Sequence, residues 1–278
     1  MTTPSITLAA WTSSWLRGHS SSDDLVDALH RWAPLHLVVA DDEVTAQQTA
    51  VPATPAADLA VLLTAVRRAA SPGQNSPAHS SPAPVVRLVL PAPGDVSALP
   101  APSRFATAAV QTGHGVLVGG AGQPGIGLIP TIEGPDVLRW TSYALPELPL
   151  HQHSMGLGEA EFAIREAVRD AATAVSELAL VGGSATAARA AVAQALTESS
   201  LHTYPDSLSA RSLRILESAD HVDAILTAAD TLGTGTPTTG AMATLAVDAA
   251  SALALETHLR PLRSAVRQAR TAAINTAS

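Results

Sequence analysis

The chain has 278 residues, of which 46% are hydrophobic, 3% aromatic and 14% charged, and its formal net charge is −8. It has no Cys and all 16 basic residues are Arg, which excludes thiol nucleophiles, disulfides, thiolate metal sites and any step that needs a lysine amine. The acidic balance is even, with 7 Arg against 11 Asp and Glu over residues 1–148 and 9 against 13 over 149–278, so no basic arm exists for nucleic acid or an anionic membrane.

The length is comfortable for two cores. With so few aromatics, those cores are built from Ala, Leu, Val and Ile. No basic-then-apolar leader is visible, and no run approaches the ~18 apolar residues of a membrane span. Cytoplasm is the expected location.

The first clear helix signal is Ser20-Ser-Ser22 before Asp23 and Asp24, a capping-box spacing with acids at the positive end of the dipole. Leu25, Ala28, Leu29 and Trp32 continue it at helical spacing, and Pro34 stops it. Residues 35–40 read as a buried strand containing His36, followed by Asp41, Asp42 and Glu43. Residues 44–55 read as a loop and 56–70 as a helix with Leu59, Leu62, Leu63 and Val66 on one face. The Pro-rich segment 71–84 lacks any apolar residue larger than Ala and is expected to be a mobile loop. Residues 85–90 form the next strand. Strand, helix, strand implies a parallel pair joined by a right-handed crossover.

A second Pro-rich loop covers 91–102. Ser103 caps a short helix over 104–111, with Gly113 at its end. Residues 116–118, 126–132 and 137–143 are three further strands. After Pro149 the texture changes to long amphipathic stretches over 159–178, 184–196, 209–232 and 241–273, the last kinked or divided by Pro261. The fold class is therefore α+β, with a mixed-sheet unit over 1–149 and a helical unit over 150–278.

Three features carry a resemblance. Phe105-Ala-Thr-Ala-Ala-Val-Gln-Thr-Gly113 leads into Val116–Val118. Gly127-Leu-Ile-Pro130 has Trp140 downstream. Leu259-Arg-Pro-Leu262 is followed by Arg263, Arg267 and Arg270. Over about residues 100–275 the chain resembles a family of uncharacterised conserved proteins of high-GC actinobacteria. The resemblance implies an origin and brings no reaction, ligand or catalytic residue.

Several segments have the form of sites. Gly120-Ala-Gly122-Gln-Pro-Gly125 follows a strand in the G-x-G-x-x-G pattern of dinucleotide binding. That pattern needs a helix to open at its glycines, and Pro124, Pro130 and the missing ribose-binding acid favour a glycine-rich turn instead. Gly182-Gly183-Ser184 offers either an anion cradle or an ordinary helix stop and N-cap. His151 and His153 share a face in extended chain and could ligate a metal with Glu147, Glu159 or His114, although polar loop residues are ordinary there. Asp41-Asp42-Glu43 lies where α/β folds place ligands or Mg²⁺, although solvated acids are commoner. No G-x-S-x-G elbow occurs.

Arg260, Arg263, Arg267 and Arg270 fall on one helical face, a candidate surface for an anion, an acidic protein partner or a second copy. The favoured expectation is internal pairing with Glu217, Asp220, Asp223 and Asp230 of the preceding helix. No catalytic residue, cofactor or metal is assigned. The expected function is binding or assembly. The alternative is a hydrolase or nucleotide-dependent enzyme using carboxylates and histidines in a cleft between the units.

Overall fold

The computed structural model describes residues 2–56, 58–71, 85–96, 98–100, 102–149, 155–181, 185–233 and 244–276. The fold is α+β. A sheet unit is built on residues 3–149, with 203–209 and 274–276. A helical unit is built on residues 155–202 and 210–273, with Thr2.

The sheet holds β1 (Leu35–Ala40), β2 (Val85–Val89), β3 (Gly115–Gly119), β4 (Gly125–Ile132) and β5 (Val137–Leu145) in the order β1-β5-β4-β3-β2. β1 pairs with β5 in parallel, and the other pairings are antiparallel. The expected parallel β1–β2 pair is therefore corrected: the two strands lie at opposite edges and run in opposite directions. Tight connections over 119–125 and 132–137 fix β3, β4 and β5 as a meander. β2 takes one edge of that meander and β1 the other.

Two helices escape the hydrophobic periodicity. α1 (Pro4–Leu16) is buried on nearly every side, including Ser5, Thr7, Thr12, Ser13 and Ser14, so it has no polar stripe to mark it. α3 (Glu43–Thr49) occupies part of the expected 44–55 loop. Its N-cap is Asp42, whose carboxylate accepts from Thr45 N–H at 2.7 Å. The other helices of this unit follow their signals. α2 (Ser22–His30) starts with a full capping box between Ser21 and Asp24. α4 (Leu59–Ala70) buries Leu59, Leu62, Ala65 and Val66. α5 (Arg104–Thr112) is capped by Ser103 and ends at Gly113 in the left-handed region, φ 78°.

Alternation along the strands divides the sheet into two buried faces. One carries His36, Val38, Leu138 and Trp140. The other carries Val89, Leu117, Ile129 and Leu145, packed against Phe105 and Ala109 of α5. Gly127 and Gly115 make room for that ring: a Cβ on Gly127 would lie 2.2 Å from Phe105 Cδ2. Tyr143 meets Phe105 edge-on, with ring centroids 5.9 Å apart.

The helical unit comprises α6 (Leu157–Val181), α7 (Ala185–Ser200), α8 (Ala210–Gly233) and α9 (Thr244–Asn275, whose last two residues group with the sheet unit). α9 runs through Pro261 as one helix. Among the described residues no strand follows Leu145. The expected loop at 71–84 lies outside the described residues beyond Ser71.

Candidate functional site

The G-x-G-x-x-G segment is the turn of the β3–β4 hairpin. Gly119 and Gly125 are cross-strand partners, and a Cβ on either would lie within 2.7 Å of Leu148 Cδ1. The Gly122 N–H donates to Leu148 O at 2.9 Å, and Gln123 O accepts from the Leu148 N–H at 2.9 Å. No helix opens here, so the N–H groups that would face a pyrophosphate are absent. The glycines serve backbone approach to Leu148.

The acids after β1 are already engaged. Arg104 Nε lies 2.8 Å from Asp41, and its terminal nitrogen lies 2.6 Å from Asp42. The Thr45 N–H bonds and the Arg104 charge hold the Asp42 carboxyl below the usual range. Burial pushes Asp41 up, against the pull of Arg104. Burial also raises the Tyr143 phenol, with Asp41 adding to it. The cluster is a cap plus an ion pair in which one guanidinium is shared by Asp41 and Asp42.

Two histidines, His36 buried and His114 half-buried, form contacts that the sequence did not announce. His36 Nδ1 accepts from Trp140 Nε1 at 3.0 Å, and its Nε2 donates to the Leu29 carbonyl at 3.2 Å. Both ring nitrogens are used by the neutral tautomer. Burial, assisted by His30, lowers its pKa to about 4. His114 Nδ1 lies 3.0 Å from Ser5 Oγ, and burial lowers its pKa to about 4 as well. Ser5 is fully buried, so this pair has a nucleophile and base at bonding distance without access for a substrate. It ties the first turn of α1 to the start of β3.

His151, His153 and Gly182-Gly183-Ser184 lie outside the described residues. Among the described residues no three metal-binding side chains come together.

The arginine row is divided by its surroundings. Arg270 is 3% exposed and reaches Asp220 at 2.6 Å and Asp223 at 3.0 Å. Burial raises the Asp223 pKa, the Arg270 guanidinium lowers it, and the net direction is down. Arg263 pairs with Asp230 at 2.6 Å. Arg267 is half-buried and Arg260 is exposed.

A groove of about 410 Å³ lies within the helical unit between α6, α7 and α8. α7 lines it with Arg189, Val192, Ala193 and Leu196, spaced i, i+3, i+4 and i+7, so one helical face supplies the wall. α8 adds His221 and Ile225, one turn apart, and α6 adds Val168. Arg189 and His221 are its titratable members among the described residues, and no carboxylate lines it. Such a site can hold an apolar body and a polar head. Among the described residues its lining holds no hydroxyl and no carboxylate.

Family models for the Rv1486c-like protein, N-terminal domain and C-terminal domain, match residues 5–153 and 158–271. The chain belongs to the Rv1486c-like family. Uncharacterized protein Rv1486c of Mycobacterium tuberculosis (strain ATCC 25618 / H37Rv) is 35% identical over 291 residues, covering 98% of this chain and 96% of that protein. Uncharacterized protein ML1804 of Mycobacterium leprae (strain TN) is 35% identical over 298 residues, with the same coverage. Uncharacterized protein MAV321 of Mycobacterium avium is 31% identical over 302 residues, again with 98% and 96% covered. No solved structure matches. The actinobacterial resemblance therefore holds. These relatives carry no activity over to this chain, and its function is unknown. No helix among the described residues is long and apolar enough to cross a membrane.

Proposed function

We propose that this protein binds a small, largely apolar molecule in the α6–α7–α8 groove and does not transform it. The groove itself carries the reading. Its volume of about 410 Å³ falls in the range of small-molecule sites, roughly 300–1,000 Å³. Its walls are Val168, Val192, Ala193, Leu196 and Ile225. The reading is supported by the state of the groups an enzyme would use: Asp41 and Asp42 share an ion pair with Arg104, His36 is buried, and both His36 and His114 are hydrogen-bonded.

The test uses N-phenyl-1-naphthylamine, a neutral dye that brightens in apolar sites. Saturable binding at one site per chain is expected. Ala193 is exposed on the groove wall, so Ala193→Trp fills the groove without entering the core. It should weaken binding about tenfold or more with an unchanged circular dichroism spectrum. Non-saturable binding, or binding indifferent to Ala193→Trp, would remove the groove as the site.

For the arginine row we propose an internal role, clamping α9 to α8 through Arg263 and Arg270. Arg260 is the exposed member of the row, too little on its own to hold a second copy by charge. Sedimentation across a salt series should then show no change of oligomeric state. A cytoplasmic site of action belongs to the same proposal, and cell fractionation checks it.

A further inference from the structure

We infer that the groove selects a small amphipathic anion, with Arg189 receiving its carboxylate-type head and the apolar wall receiving its tail. This rests on the groove reading above and adds the charge of the ligand to it. The argument is charge complementarity. On a chain of net charge −8, a concavity lined among the described residues by an arginine, a histidine and no carboxylate departs from the average surface. Its guanidinium presents parallel N–H donors that fit a planar carboxylate.

Arg189 is exposed, and among the described residues no carboxylate pairs with it. It sits one turn before Val192 and Ala193 and two turns before Leu196 on the same face of α7. A ligand whose head meets Arg189 therefore has its tail laid along Val192 and Leu196, against Ile225 of α8 and Val168 of α6. A cationic head would face Arg189 with like charge, and a neutral head would leave the guanidinium in water.

The probes are decanoate, decanol and decylammonium, each displacing bound N-phenyl-1-naphthylamine. Decanoate is expected to displace the dye at a concentration about tenfold below decanol, with decylammonium weakest. Arg189→Gln should erase the preference for decanoate over decanol, read as the ratio of the two displacing concentrations within that variant. His221→Gln should leave most of it in place. Equal displacement by decanoate and decanol, or a preference that survives Arg189→Gln, would overturn the anionic head while the dye still reports an apolar groove. Loss of dye binding in the unaltered protein would overturn both this inference and the reading it rests on.

Discussion

The side-chain amide of Asn275 bonds both backbone groups of Leu88: its Nδ2 donates to the Leu88 carbonyl at 3.0 Å, and its Oδ1 accepts from the Leu88 N–H at 2.8 Å. One side chain thus stands in for a neighbouring strand on the free edge of β2. At the opposite edge, Val38 exchanges two 2.9 Å bonds with Ala56, and Ala40 N–H donates to Pro52 O at 2.8 Å. Both edges of the sheet are covered, as exposed edges must be to avoid pairing with other chains. Asn275→Ala should cost about 1–3 kcal/mol, because it strands two part-buried backbone groups. Amide hydrogen exchange at Leu88 should accelerate with it, and an unchanged Leu88 rate would contradict the role.

Gly127→Ala should be among the more damaging single changes in the sheet. Its Cβ would meet the Phe105 ring at 2.2 Å, and that ring is 0% exposed with Ile129, Leu117 and Tyr143 around it. Overpacking of this kind costs about 1–3 kcal/mol or more. Phe105→Leu combined with Gly127→Ala should recover part of the loss in a denaturant titration. Additive losses would mean that the two residues do not share the space.

Stability should fall on acidification from about pH 6.5 to about pH 4. His36 has a folded-state pKa near 4 against 6.5 when unfolded, chiefly through burial. Its depressed value means that the unfolded chain binds more protons in that window. The contribution is full above pH 6.5 and lost as pH falls toward 4, reaching roughly 3 kcal/mol for a shift of this size. His114 acts in the same direction. Unfolding free energies measured across pH 4–7 should slope upward. His36→Leu should flatten part of that slope, leaving the share from His114.

Arg270 and Arg263 of α9 should differ sharply in cost. Arg270→Met takes the buried guanidinium from between part-buried Asp220 and Asp223, a loss of about 3 kcal/mol. Arg263 and Asp230 are 30% and 60% exposed, so Arg263→Ala should cost ~0–1 kcal/mol. Adding Asp220→Asn and Asp223→Asn to Arg270→Met should restore much of the stability. Thermal melts of the three variants check the ranking.

Local chemistry was legible wherever one residue decides one event. Ser21 with Asp24, and Ser103 with Gly113, mark helix ends because caps act within four residues. Residues 126–132 and 137–143 read as strands because Gly- and Pro-containing turns set them off from their neighbours. α1 was hidden because a helix buried all round has no stripe. α3 was hidden because Asp42, which caps it, sits in a run of acids that also reads as solvated loop. The edge-to-edge placement of β1 and β2 was hidden because strand pairing depends on segments about a hundred residues apart.

The groove divides in the same way. The spacing of Arg189, Val192, Ala193 and Leu196 shows a shared face of α7. Nothing in that spacing says that Val168 and Ile225 stand opposite. The buried ends of His36 and Trp140 were equally out of reach, since 104 residues separate the partners.

The parallel partnership of β1 with β5 also sets an order of events. β3, β4 and β5 can pair as soon as their short connections close, since each step joins neighbours in the chain. Leu35 must wait for Val137 and Ala40 for Ser142, across a loop of about a hundred residues whose closure entropy is lost before any contact forms. During synthesis, β1 therefore emerges early with its pairing edge open, and it is completed only after the whole meander has followed it. The half-made chain is the state in which the backbone of residues 35–40 still waits for its β5 partners.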